Sequence, residues 1–165
     1  MEKMWKLKKS NIHGVGIVAK RDVKKNERII EYIGDKISKK EGDKRSAARI
    51  KEFLNKKNEG SVYVFELNDK FDIDGSPQYN NARYINHSCY PNCEVDIIDN
   101  KIWISSIKNI KKGAELSYDY GYPFDVDDYK DHVCKCGAKN CIEFIISQDD
   151  WKKYKVHLKN KIKNL

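Results

Sequence analysis

At 165 residues the chain suits one domain with a genuine core. Hydrophobic residues make up 39%, and Lys plus Arg outnumber Asp plus Glu by 33 to 25. Six of those eight excess charges fall in the acid-free stretch WKKYKVHLKNKIKNL (151–165), so the body is close to neutral and its charge does not mark it as a nucleic-acid binder. No run approaches the ~18 apolar residues of a membrane span. The opening MEKMWKLKKS lacks the apolar stretch of a signal peptide. Both observations point to an intracellular chain, cytoplasmic or nuclear (the host nucleus, for an effector). Three of the five Cys lie within eight residues, which favours metal binding over disulfides.

Taken in chain order, short strand-like runs dominate: GIVA (16–19), RIIEYI (28–33), SVYVFEL (61–67), EVDII (94–98), KIWISSI (101–107) and ELSYDY (115–120). Turn signals separate them at Gly34-Asp35, Asp74-Gly75, Asp99-Asn100 and Lys112-Gly113. Ala47, Ile50, Phe53 and Leu54 recur at helical spacing and predict a helix over 43–56. A second helix is predicted after Ser147, with Asp150 as its capping partner and Trp151, Tyr154, Leu158 and Ile162 as its apolar stripe. The expected fold is mainly β, with a helical insert and a C-terminal helix.

GVGIVA (14–19) fits the G-x-G-x-x-A pattern of a dinucleotide-binding turn. That motif must open a helix, and here the glycines run into β-branched residues and a charged turn, so the reading is rejected. The glycines still imply a close backbone approach or a positive φ.

CKCGAKNC offers Cys134, Cys136 and Cys141, three thiols close enough to wrap a tetrahedral ion. A fourth ligand must come from elsewhere: Cys89, Cys93, His87 or His132. Spacing does not choose among them. Cys89 as a nucleophile with His87 as its base is the catalytic alternative, but no orienting acid or oxyanion loop accompanies the pair.

Four motifs in order resemble the SET-domain protein lysine methyltransferases. They are the I-H-G-x-G turn within SNIHGVGIVAKRDVKKNERIIEYIGDKI, then ARYINHSCYPNC, ELSYDYGY and CKCGAKNCIEF. The last is similar to the post-SET zinc motif of trithorax-like members. Tyr84 stands where Phe is commoner, and KKNER replaces a K-x-G-E turn. The resemblance implies a β-clip fold with a pseudoknot: a SET domain over 1–132, a post-SET zinc segment over 133–148 and a Lys-rich helix over 149–165. With no cysteine-rich pre-SET region in view, a stand-alone catalytic unit is expected.

The resemblance also implies the cofactor S-adenosylmethionine, contacted by His13, Gly14, Val15, Gly16, Tyr63, Asn86 and His87, with Phe144 near its adenine. It makes Cys89 the fourth ligand of one structural Zn2+, beside Cys134, Cys136 and Cys141, and leaves Cys93 as a small buried residue. Tyr120 matches the catalytic tyrosine, Tyr118 the position that tunes product, and Tyr63 a residue between cofactor and channel. In this chemistry the lysine must be neutral, and deprotonating it at pH 7 costs about 4.6 kcal/mol. An aromatic channel and a nearby sulfonium both disfavour the ammonium. The Tyr118 hydroxyl would hold a water whose release leaves polar groups unpaired, at about 1–3 kcal/mol. That predicts mainly mono-methylation.

The expected substrate is an exposed lysine in a basic protein tail such as a histone. The acids of 115–131 (Glu115, Asp119, Asp125, Asp127, Asp128 and Asp131) would meet it with complementary charge. The Lys-rich tail reads either as a solvated helix face or as a nucleic-acid contact through 151–165. The alternative function is a non-catalytic, zinc-stabilised SET-like interaction module. The retained Tyr120 and Asn86-His87 pair favour the enzyme.

Overall fold

The computed structural model describes residues 3–56 and 62–163, with side chains 53–56 outside the description. The first described elements are β1 (Trp5–Lys9), β2 (Val15–Ala19), β3 (Arg28–Tyr32), β4 (Asp35–Ser38), α1 (Lys39–Lys56), β5 (Val64–Glu66) and β6 (Phe71–Asp74). Then come β7 (Asn86–His87), β8 (Cys93–Ile98), β9 (Lys101–Ser106), β10 (Ser117–Tyr118) and α2 (Trp151–Lys163), with short 3-10 turns between several of them. The chain forms two compact units, one of Met1–Glu27, Ile85–Glu94 and Ser106–Leu165, the other of Arg28–Tyr84 and Val95–Ser105.

In the first unit β1 and β2 form an antiparallel hairpin, from Trp5↔Ala19 to Lys9↔Val15. Ile17, Val18 and Ala19 are buried, which gives β2 its inner face. Leu116 N donates to Ile17 O, and Ala19 N to Ala114 O, so the 114–116 segment lies along β2. β7 and β10 pair in parallel, Ser117 opposite Asn86 and Tyr118 opposite His87. Such pairing needs a long crossover, here the chain from 88 to 116.

The unit also holds a second apolar cluster. Tyr129, Ile146 and Tyr154 are its buried members, with Phe124, Phe144, Trp151 and Leu158 packed around them. Each large side chain so buried contributes about 1.5–3 kcal/mol. This anchors α2. The predicted stripe holds through Leu158, but Ile162 stands 71% exposed, so packing ends one turn early. The predicted Ser147–Asp150 capping pair does not form. The Ser147 side chain accepts from Asp149 N, while the Asp150 carboxylate accepts from Phe124 N at 2.9 Å and pairs with Lys153 at 2.6 Å. A tertiary donor and a lysine one turn on outcompeted the local box.

The second unit holds two three-stranded sheets, β3-β9-β8 and β4-β6-β5. Asp99 and Asn100 both have positive φ (52° and 55°), the left-handed pair that a two-residue hairpin requires, and they join β8 to β9 as their turn signal predicts. Helix α1 starts four residues before the predicted 43, because the Ser38 hydroxyl accepts from Glu41 N and caps it. Ser61 of the SVYVFEL run, and the side chains of Phe53 and Leu54, lie outside the described residues.

Strands β1, β4, β6 and β7 were not expected from the sequence. WKLKK and DKIS are short and mostly exposed, so neither carries an apolar run. FDID hides its strand behind two acids, Asp72 and Asp74, both buried. Their charges are matched from α1: Lys39 reaches Asp72 at 2.8 Å, Arg45 reaches Asp74 at 2.8 Å, and Arg49 stands 3.7 Å from Asp74. Burial alone would raise the Asp74 carboxyl, but hydrogen bonds from Arg45 and Ser76 outweigh it and hold the group below its ordinary value.

Asp74→Ala is therefore expected to lower the free energy of unfolding by about 2 kcal/mol, since it strands the Arg45 charge and the Ser76 amide. A group whose folded pKa is depressed adds stability above its unfolded value and loses it as the pH falls. In denaturant titrations the gap between parent and variant should close as the pH drops below the ordinary carboxyl value of 3.8.

Candidate functional site

The loop between β1 and β2 is built by one hydroxyl. Ser10 Oγ accepts from Ile12 N at 2.8 Å and His13 N at 3.0 Å, and Ser10 N donates to Gly14 O at 2.9 Å. Gly14 sits at φ +49°, where a side chain would be strained. At Gly16 a Cβ would lie 2.5 Å from Glu115 Oε1 and 3.1 Å from Ser10 Cβ, so any other residue would push the Glu115 carboxylate away.

Asn86, buried at the start of β7, closes this loop. Its Nδ2 lies within 3.4 Å of four acceptors: Ser10 Oγ, His13 O, Val15 O and Glu115 Oε1. Glu115 Oε1 also accepts from Ser10 Oγ at 2.5 Å. Behind it, Asn92 Nδ2 donates to Glu115 O at 2.7 Å and Asn92 Oδ1 accepts from Ser117 N at 2.9 Å. The 86–92 segment thus runs between the Ser10–Gly16 loop and the 115–118 segment, bonded to both.

The tyrosines of YDYGY begin at the last residue of β10. Tyr118 is buried and its ring centroid lies 5.1 Å from that of Tyr120, which in turn is 5.9 Å from Tyr122. The Tyr120 hydroxyl donates to Ile85 O at 3.0 Å. Its backbone N donates to His87 Nδ1 at 3.2 Å. Between them, the Asp119 carboxylate accepts from Gly121 N at 3.0 Å and Gln148 N at 2.8 Å, fastening the strand exit to the start of the C-terminal segment. Phe144 packs edge-on against Tyr129, 5.0 Å between centroids. Tyr63 belongs to the second unit, where its carbonyl accepts from the Tyr32 hydroxyl at 3.0 Å and the Arg83 guanidinium lies 4.3 Å from its ring centre.

Residues 132–145 fold back on themselves through Ile145 N→His132 O (2.7 Å), Cys134 N→Glu143 O (2.8 Å) and Cys141 N→Ala138 O (2.9 Å). This hairpin gathers Cys134, Cys136 and Cys141, and Cys89 joins them from the end of β7. The four Sγ atoms all lie within 4.8 Å of one another, with Cys89 3.7 Å from Cys134 and 3.8 Å from Cys141. Four thiolates at a Zn–S distance near 2.3 Å stand about 3.8 Å apart, so the donors fit one tetrahedral ion. The Cys89 thiol is held below its ordinary value, chiefly by its hydrogen bond with Cys134 and further by His87, against the opposing effect of burial. That bond and burial push the Cys134 thiol up.

Of the four candidates for fourth ligand, Cys89 is the one whose sulfur lies with the other three thiols. Cys93 is buried elsewhere, donates to Asn92 Oδ1 at 3.4 Å, and is pushed up to about 12 by burial. His132 packs on Tyr122 and faces Asp128 at 3.9 Å, while the His87 ring stands behind Cys89 with Nε2 at 3.7 Å from its sulfur. The acids of 115–131 split as well. Glu115 and Asp119 are engaged internally, so only Asp125, Asp127, Asp128 and Asp131 stand exposed. Sequence reasoning missed Ser10, Glu115, Asn92, Asp119 and Gln148 as residues that hold the site together. The one signal was their place inside or beside the quoted motifs.

Residues 14–121 match the SET domain family, and the chain belongs to it. It is 39% identical over 145 residues to Histone-lysine N-methyltransferase 2D of Homo sapiens, an alignment covering 83% of this chain and 2% of that protein. It is 39% identical over 150 residues to Histone-lysine N-methyltransferase trr of Drosophila melanogaster, covering 86% and 6%. A third relative is Histone-lysine N-methyltransferase, H3 lysine-4 specific, of Schizosaccharomyces pombe, at 37% over 136 residues, covering 80% and 14%. The chain thus spans a small part of the length of these relatives. Among its described residues, no helix is long and apolar enough to cross a membrane.

The thiol cluster generates a direct prediction. Purified protein is expected to carry about one zinc per chain. Cys89→Ser should lower that content, and Cys93→Ser should leave it unchanged. Elemental analysis of the three proteins checks both.

Proposed function

We propose that this chain transfers a methyl group from S-adenosylmethionine to the ε-amine of a lysine in a basic protein tail, mainly once. The observation that carries the reading is the internal order of the first unit. Its glycine-bearing loop is closed by Asn86, and the segment that closes it pairs with the strand leading into Tyr118 and Tyr120. Membership of the SET family and histone-lysine methyltransferase relatives support it. The bound cofactor supplies an electrophilic methyl on a sulfonium.

Cofactor contacts are assigned to His13, Gly14, Val15, Gly16, Asn86 and His87, with Phe144 on the adenine side. The side chains of Asn86 and His87 are committed to the loop, to Tyr120 and to Cys89, so their part falls to the main chain. The resemblance extends the assignment to Tyr63. The SET domain is assigned to 1–132, the zinc segment to 133–148 and the Lys-rich C-terminal segment, which holds α2, to 149–165. Zinc on Cys89, Cys134, Cys136 and Cys141 fastens the 132–145 hairpin to the end of β7. A histone-like tail suits the four exposed acids between 125 and 131.

Tyr120 is the catalytic residue. Its proton is given to Ile85 O, so its oxygen offers lone pairs to an amine N–H and orients the nitrogen. The packed rings of Tyr118, Tyr120 and Tyr122 disfavour the ammonium and lower the cost of deprotonation. Tyr118, buried beside Tyr120, tunes the product: a water retained at its hydroxyl occupies the space a methylated amine needs to turn.

Incubation with labelled S-adenosylmethionine and histone tails or cell extracts tests the activity. Tyr120→Phe should keep cofactor affinity within a few fold while turnover falls about 100-fold or more, as for loss of a positioned polar group. Equal turnover in the variant would favour the non-catalytic interaction module.

Product state is read by mass spectrometry of a time course. The parent should yield mainly mono-methyl lysine with some di-methyl. Tyr118→Phe should move product toward di- and tri-methyl with little loss of the first transfer. Abundant tri-methyl product from the parent would overturn the assignment.

A further inference from the structure

His87 is buried, 4% exposed, and its two ring nitrogens have different partners. Nδ1 accepts the Tyr120 backbone N–H at 3.2 Å. A ring nitrogen that accepts carries no proton, so the neutral ring bears its hydrogen on Nε2. Nε2 faces Cys89 Sγ at 3.7 Å, within the longer range of a hydrogen bond to sulfur. The Asp119 carboxylate has an oxygen 3.7 Å from Nδ1, and Gly121 N and Gln148 N already donate to it. The imidazole therefore stands as a rigid spacer between a sulfur of the four-cysteine cluster and the main chain of Tyr120. The Tyr120 ring meets it edge-on, 5.4 Å between centroids.

We propose that His87 is a positioning residue that couples metal loading of the cysteine cluster to the seating of Tyr120. This rests on the function proposed above. A metal-bound Cys89 sulfur is a thiolate held in one rotamer, and it accepts the Nε2 hydrogen. That bond fixes the tautomer and the ring angle, as partners of buried imidazoles do at metal sites. Nδ1 is then presented to Tyr120 N, and the backbone turn it holds directs the phenol to Ile85 O. With the metal removed, the Cys89 side chain regains rotameric freedom and the ring loses its fixed acceptor. The cluster then does more than tie two segments together: its occupancy is felt at the catalytic hydroxyl, through one side chain.

The test uses the full chain labelled with nitrogen-15 and zinc as the probe. In the loaded parent, His87 should show the Nε2-protonated neutral tautomer. Stripping zinc with a chelator should shift the Tyr120 amide signal, and adding zinc back should restore it. His87→Asn keeps an acceptor at the Nδ1 position but cannot reach Cys89. It should bind zinc stoichiometrically, its Tyr120 amide should no longer follow loading, and its turnover should fall about tenfold with KM within about twofold. His87→Gln, which keeps a donor toward Cys89 and loses the acceptor, should show the same split. An Nδ1-protonated ring, or a Tyr120 amide that follows zinc equally in His87→Asn and the parent, overturns the proposal. If neither variant folds, the parent's tautomer and zinc response still decide. The spectral readouts need no methyl transfer. A parent that couples zinc to Tyr120 yet transfers no methyl group sinks the proposed function and leaves the coupling standing.

Discussion

The first unit depends on one buried side-chain amide. Asn86 has two N–H donors, and the chain brings four acceptors to them from two separate segments, the Ser10–Gly16 loop and Glu115. An unpaired buried amide costs about 1–3 kcal/mol, so the loop, Glu115 and β7 are held to one mutual arrangement by the need to satisfy it. The Glu115 carboxylate is the complement: it accepts from Ser10 and Asn86 while its backbone carbonyl accepts from Asn92. Removing either partner leaves the other's polar atoms without those bonds.

From that junction the rest of the site follows. Fixing β7 places His87 opposite Tyr118 in the parallel pair, and the chain leaves β7 at Ser88, whose N donates to Tyr118 O. Cys89 comes next, aimed at the hairpin of 132–145. Two contacts draw the C-terminal segment to the same place: Gln148 N to Asp119, and Gln148 Nε2 to Cys89 O. The apolar cluster of Tyr129, Ile146 and Tyr154 then packs α2 against the segment that carries Phe144. Polar bonds set the orientation, and apolar burial supplies most of the energy.

Much of this was legible beforehand. Turn chemistry is local, so Asp99-Asn100 marked its hairpin and the glycines of the first loop marked a tight approach. The three thiols of CKCGAKNC are neighbours in sequence, and neighbours can be read as a cluster. The edge strands β1 and β4 were less legible, because strands this exposed carry no apolar alternation. β6 was hidden for another reason: its two buried acids are tolerated only because α1 carries their counter-charges, which no local pattern displays. Glu115 was counted as one acid in an acidic stretch, yet its carboxylate belongs to a serine 105 positions away.

The sequence by itself determined the family, the mainly β architecture, the thiols able to hold a metal, and the tyrosines set two apart in ELSYDYGY. These follow from residue chemistry at short spacing, which the chain carries wherever it folds. Only the tertiary structure decided that Cys89, and not Cys93 or a histidine, completes the cluster, that Glu115 and Asp119 are structural acids, and that the His87 ring lies between Cys89 and Tyr120. Those outcomes rest on where side chains point once segments far apart in sequence meet. That is set by which buried polar groups must be satisfied together, and spacing along the chain carries no record of it.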